Sequence, residues 1–227
     1  MLLMSKTKIK LIIIFFTLST FFSCVPSLVY SPSINLPPKP LEKDETQILG
    51  GVGYFPETRP DRVSSTMAFG GEATIRHAFS NSFSLQLESW YDFSNNVEDG
   101  RWGLSLASNI VFNDSSNFRF GLMPIFAAAF ANNSMEGGGC YIPITFWFNH
   151  LDPVNFYAAV GPMVGIRDIT DENNQWGWGI IMNAGCGILF ENNITLNLEF
   201  AFIKQVNEYN SRRDYFFSPS INIGYIF

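Results

Sequence analysis

The chain has 227 residues, 47% of them apolar and 16% aromatic, which gives room for one medium domain and excludes a disordered polar segment. Its formal charge is −6; residues 1–23 hold three of the fourteen basic residues and no acid, so without them eleven basic residues face twenty acidic ones, a charge of −9. That balance disfavours nucleic acid as a partner, because binding it requires phosphate neutralisation.

In chain order, the first predicted element is an export signal over residues 1–23: Lys6, Lys8 and Lys10, an apolar run from Leu11 to Phe16, then small residues before a cysteine. Read instead as a transmembrane helix, the run is too short, since Thr17, Ser19 and Thr20 interrupt it and a span needs about 20 apolar residues. The stretch LSTFFSC has the form of a lipoprotein signal, with Ser23 directly before Cys24 as the residue to be acylated. A plain secretory signal cut nearby is the alternative, because Phe21 and Phe22 stand where smaller residues are commoner. Cys140 and Cys186 are expected on non-adjacent strands, so no disulfide is predicted.

Residues 24–45 contain Pro26, Pro32, Pro37, Pro38 and Pro40 and almost no periodicity, and read as an extended tether from the lipid to the domain beyond. From Thr46 the chain breaks into stretches rich in Val, Ile, Phe, Tyr, Trp and Thr, separated by Asn, Asp, Ser, Gly and Pro clusters. Strands are predicted near 46–55, 66–79, 83–93, 102–112, 118–130, 138–150, 156–168, 176–190, 194–207 and 215–227, with an eight-stranded count as the alternative. Connections after even strands are short (80–82, 113–117, 151–155, 191–193), and those after odd strands are longer or more polar, including PETRPDRVSS from Pro56 and EYNSRRD from Glu208. An even number of strands with alternating short and long ends is the pattern of a closed antiparallel up-and-down transmembrane β-barrel. The domain is accordingly all-β and spans 46–227, with short turns and both termini periplasmic.

Within strands one parity is apolar, as in Phe83, Leu85, Leu87, Tyr91 and Phe93, and again in Ile194, Leu196, Leu198, Phe200 and Phe202. Three features place that face outward. Charged strand residues Glu72, Arg76, Glu88, Asp92, Arg119, Arg167 and Glu199 fall on the other face. Aromatics gather at strand ends, with Phe79, Phe83, Phe112, Phe118, Phe148, Phe156, Phe190 and Phe227 beside short turns and Tyr54, Tyr91, Trp102, Trp176, Trp178 and Tyr215 beside long loops. The chain ends Ile221, Ile223, Tyr225, Phe227, an every-second-residue row like the terminal signal by which outer-membrane barrels are assembled. A soluble periplasmic lipid-binding barrel would reverse the two faces.

With FFSC, SPSINLPPKPLEKDETQ and the terminal INIGYIF in view, the sequence resembles the small outer-membrane β-barrel lipoproteins of Gram-negative bacteria. The resemblance implies architecture, a cell outer-membrane location, and outer-membrane lipids and the barrel-assembly machinery as partners. Of functional residues it carries over only Cys24.

The chemistry expected is sparse. His77 and His150 lie at strand ends, and a dyad of His77 with Ser80 or Ser82 reads more simply as an interfacial histidine near a turn. Asp168, Asp171 and Glu172 lack the glycine and terminal glutamate of a calcium loop, the glycines at 50–53 and 137–139 lack a following helix, and no metal, cofactor or enzymatic motif is found. The inward ions, Glu72, Arg76, Glu88, Arg119, Arg167 and Glu199, are predicted to form a lumen network with Asn109, Asn183, Asn197 and Asn222. The bulk of Trp90, Tyr141, Trp147 and Tyr157 argues against an open pore. The leading expectation is a non-enzymatic barrel with a structural or surface-binding role and a lumen filled by side chains. A narrow channel for ions or small solutes is the alternative.

Overall fold

Stretches in which β-branched and aromatic residues recur at every second position pair side by side, because each strand's backbone donors and acceptors must find partners in its neighbours. The computed structural model describes residues 34–56, 67–93, 101–113, 117–131, 134–151, 153–167, 175–207 and 213–227. The elements are β1 (Thr46–Pro56), β2 (Met67–Ser80), β3 (Phe83–Asp92), β4 (Arg101–Val111), β5 (Phe118–Leu122), β6 (Ile125–Ala131), β7 (Ser134–Tyr141), β8 (Ile144–Leu151), β9 (Val154–Arg167), β10 (Gln175–Leu189), β11 (Ile194–Asn207) and β12 (Arg213–Ile226).

β1 pairs antiparallel with β2 on one side and with β12 on the other, so the last strand closes on the first. The segments β5 and β6 are one strand interrupted at Met123 and Pro124, and β7 and β8 are one strand interrupted at Ile142 and Pro143; both halves of each pair with the same neighbours. Counted so, the molecule is a closed antiparallel barrel of 10 strands, as the sequence predicts.

Two local expectations differ. The fifth and sixth strands are not continuous, because a proline has no N–H to place in the ladder. At the breaks the chain uses the proline carbonyls instead: Ser108 N–H donates to Pro124 O (3.0 Å) and Met123 N–H to Pro143 O (2.9 Å). The sixth strand also starts at Ser134 rather than near 138, which leaves only residues 132–133 between β6 and β7.

The outer face is apolar and the inner face polar or aromatic. Leu106 is 53% exposed and Leu87, its cross-strand partner, 50%, whereas Glu88 and Glu199 are 1% exposed. This is opposite to the arrangement a soluble lipid-binding barrel needs. Of the aromatics expected in the two girdles, Phe79, Phe112, Phe118, Phe156, Phe190, Tyr54, Tyr91, Trp102 and Trp178 are exposed on the outside. The side chains of Trp176 and Tyr215 lie outside the described residues. Inside, Trp147, Tyr141, Tyr157, Met123, Ile181 and Ile203 form one apolar cluster, and two residues from before the first strand, Ile34 and Leu36, belong to it.

Candidate functional site: the occupied lumen

The segment from Ile34 to Leu41 lies inside the barrel and does not hang below it as a tether. At the short-turn end Leu41, 4% exposed, packs with Ala78 and Ile226. Residues 42–45 then turn back into β1: Asp44 takes a left-handed conformation (φ 69°), Asp44 N–H donates to Ala78 O (2.8 Å) and Lys43 N–H to Asn81 Oδ1 (2.8 Å). Lys39 pairs with Glu42 at 3.2 Å on this rim. From there the chain climbs, and Leu36, Asn35 and Ile34 are 0%, 1% and 1% exposed.

Each part of that segment meets a wall group. Ile34 N–H donates to Glu199 Oε1 (2.7 Å), and Gln86 Nε2 donates to Ile34 O (3.3 Å). Arg76 Nη2 donates to Asn35 O (2.5 Å), Asn197 Nδ2 to Leu36 O (3.0 Å) and Trp147 Nε1 to Pro37 O (3.2 Å). The Asn35 side chain donates to Thr74 Oγ1 (3.2 Å) and accepts from Asn222 Nδ2 (2.7 Å). Asn35 itself sits at φ 48°, a left-handed bend that asparagine tolerates better than most residues. Pro38 rests on the wall at Gly187, which has no side chain: a Cβ built there would lie 2.7 Å from Pro38 Cγ.

Polar side chains of the inner wall bond to the segment and to one another in a network. Glu199 is its centre, accepting from Ile34 N–H, Asn183 Nδ2 (2.8 Å) and Tyr157 Oη (3.1 Å). Glu72 accepts from Asn222 Nδ2 (2.6 Å). The hydrogen bonds of Arg76 go to neutral oxygens, on Gln47 (2.9 Å), on Asn35 and on Gln86, and Gln86 in turn donates to Glu88 Oε2 (3.1 Å). An amide thus links the guanidinium to the carboxylate. Arg119 is half-buried on β5, and the Arg167 side chain lies outside the described residues, as do Asp168, Asp171 and Glu172.

Glu199 is met by three donors, which matters because an ion taken out of water costs several kcal/mol unless its lone pairs are met. Sequence reasoning reached Glu72, Arg76, Glu88, Glu199 and the large inward aromatics through their parity. It missed Gln47 and Gln86, which share that parity but carry no charge to draw notice. It also missed the lumen segment; the signal was the pair Ile34 and Leu36, apolar residues two apart in an otherwise proline-rich stretch.

His77 Nδ1 shares a hydrogen bond with Thr46 Oγ1 (2.8 Å) and its ring meets Phe79 edge-on, while Ser80 and Ser82 bond each other at 3.3 Å. The side chain of His150 lies outside the described residues. Cys140 and Cys186 are free thiols on β7 and β10. Among the described residues no group of three or more His, Cys, Asp or Glu side chains could hold a metal ion.

Neither a family model nor a curated protein matches this sequence. Among solved structures, an outer membrane channel from Pseudomonas putida F1 is similar at TM-score 0.51 and 9% identity, over 88% of this chain and 100% of that one. The outer membrane protease OmpT from Escherichia coli is similar at TM-score 0.42 and 10% identity, over 81% and 95%. The N-terminal β-barrel domain of Pseudomonas aeruginosa OprF gives TM-score 0.40 and 12% identity, over 82% and 100%. At these identities the likeness is one of fold: this chain has the fold of an outer-membrane β-barrel.

Proposed function

We propose that this chain is a non-enzymatic outer-membrane barrel whose lumen is closed by its own residues 34–41 and whose longer loops face the cell exterior in a structural or surface-binding role. The observation that carries the reading is the burial of Ile34, Asn35 and Leu36 among wall side chains, with four consecutive carbonyls bonded to the barrel. The apolar outer face supports contact with hydrocarbon, and the position of Thr46 beside Phe227, bonded in both directions at 2.8 and 2.9 Å, brings the start and end of the barrel to one rim. On this reading that rim is periplasmic, residues 1–23 are removed on export, and the row Ile221, Ile223, Tyr225, Phe227 is read by the assembly machinery. Deleting Phe227 then lowers the fraction of heat-modifiable, folded barrel recovered from membranes.

Cys24 precedes Ile34 by ten residues, a reach of about 35 Å when extended, enough to bring an acyl group to a membrane face. Intact mass of the mature protein checks this: a gain of acyl chains on Cys24, absent in Cys24→Ser, is expected, and an unmodified N-terminus defeats the lipoprotein part alone.

Conductance in a planar bilayer tests the sealed lumen. The intact chain is expected to give no steady current. Gly187→Leu, which drives a side chain into Pro38, and Leu36→Asp, which places a charge among Trp147 and Tyr157, are expected to conduct. Steady open currents from the intact chain would defeat the reading. A channel is the second reading, supported by the inner wall of the long-loop half, where Gly53, Gly70, Gly139, Gly165 and Gly179 carry no side chain. With Glu72, Glu88 and Glu199 against Arg76 near the segment, currents from the opened variants are expected to be cation-selective, measured as a reversal potential under a salt gradient.

A further inference from the structure

The donors that hold the lumen segment come from four different strands: Arg76 on β2, Gln86 on β3, Trp147 on β8 and Asn197 on β11. They take the carbonyls of Asn35, Ile34, Pro37 and Leu36, so four successive acceptors are each met by a separate side chain. The match is chemical as well as geometric. Pro37, Pro38 and Pro40 have no N–H, so this stretch of backbone offers acceptors and few donors, and the wall around it presents side-chain donors. At the upper end the Ile34 N–H meets the carboxylate of Glu199.

Side chains are read alternately. Ile34 and Leu36 enter the apolar cluster, Asn35 turns to Thr74 and Asn222, and Pro38 lies on the bare backbone of Gly187. Main-chain bonds with pockets for alternate side chains are the means by which extended peptides are recognised in trans. None of these contacts depends on the covalent link through residues 42–45, which sit on the rim with Glu42 and Lys43 side chains 66% and 65% exposed.

We infer that the lumen is a binding site for a proline-containing peptide bent at asparagine, occupied in cis by residues 34–41, which accepts a peptide of the same chemistry in trans once the cis segment is released. The inference rests on the sealed-lumen reading and adds the ligand class.

The test inserts a site-specific protease sequence between Glu42 and Lys43 of the full chain, folds the barrel in detergent and cuts it. A fluorescent peptide spanning residues 31–42, SPSINLPPKPLE, is then added and its anisotropy followed. Saturable binding is expected, weakened by about tenfold or more when Leu36 of the peptide becomes Asp, when its four prolines become Ala, or when the wall carries Asn197→Leu. A second protein, the uncut Leu36→Asp chain, carries an unfit segment of its own and is expected to bind the same peptide, where the intact chain does not. A cut or variant barrel that stays folded yet binds no peptide, or binds the Leu36→Asp peptide equally well, overturns the inference. The failures separate: an intact chain that conducts defeats the sealed lumen, whereas an intact chain that is silent and a cut barrel that ignores the peptide defeat only the peptide site.

Discussion

Asn35 concentrates the logic of the lumen in one residue. Its carbonyl accepts from Arg76, its amide nitrogen donates to Thr74, its amide oxygen accepts from Asn222, and its φ of 48° bends the segment so that these directions are available together. Asn35→Ala loses the side-chain bonds and strains the backbone; Asn35→Gly loses the same bonds and keeps the bend. Urea unfolding in micelles, followed by tryptophan fluorescence, is expected to show the alanine variant less stable than the glycine variant by about 1 kcal/mol. Parity alone marks Glu72, Arg76, Glu88 and Glu199 as inward. Which groups they bond was not legible, because Gln86 stands between Arg76 and Glu88 only once β2 and β3 are in register, Arg76 opposite Gln86.

Strands were legible because a two-residue period, broken by polar clusters, is a strong local signal, which β3 follows along its length and β11 from Ile194 to Phe202. The breaks at Pro124 and Pro143 were less so, since both prolines sit in apolar runs whose period continues on either side. The structure separates two kinds of strand glycine, which sequence alone does not distinguish. A Cβ on Gly185 would lie 2.4 Å from Tyr157 Cζ, on the ring whose hydroxyl donates to Glu199, whereas one on Gly50 would meet nothing within 4 Å. Gly185→Val is expected to lower the urea midpoint by an amount equivalent to about 2–3 kcal/mol, the usual cost of overpacking. Gly50→Val, on the outer face, is expected to be neutral or stabilising, since a β-branched residue suits a strand that faces lipid.

For the whole molecule the decisive fact is which solvent bathes each face. Leu106 lies mid-strand on β4 with Leu87 opposite it, both half exposed on the outer surface. In lipid bilayers Leu106→Arg is expected to cost about 2–4 kcal/mol, the range for a cation at the midplane of a barrel's lipid face. Glu191→Lys, in an exposed turn, is expected to stay within about 0.5 kcal/mol. Equilibrium folding into lipid vesicles measures both, and equal effects would mean that hydrocarbon does not surround the barrel. Strand number, the apolar parity and the inward position of the carboxylates were determined by the sequence alone, because each depends on residues near one another along the chain, whereas the alternation of short and long ends fails where only residues 132–133 join β6 to β7. Only the tertiary structure decided that residues 34–41 occupy the lumen. The wall groups bonded to residues 34–37 are 39 to 187 residues away in sequence, on walls that face one another only after β12 has closed on β1, and a proline-rich stretch has no period to announce where it will dock.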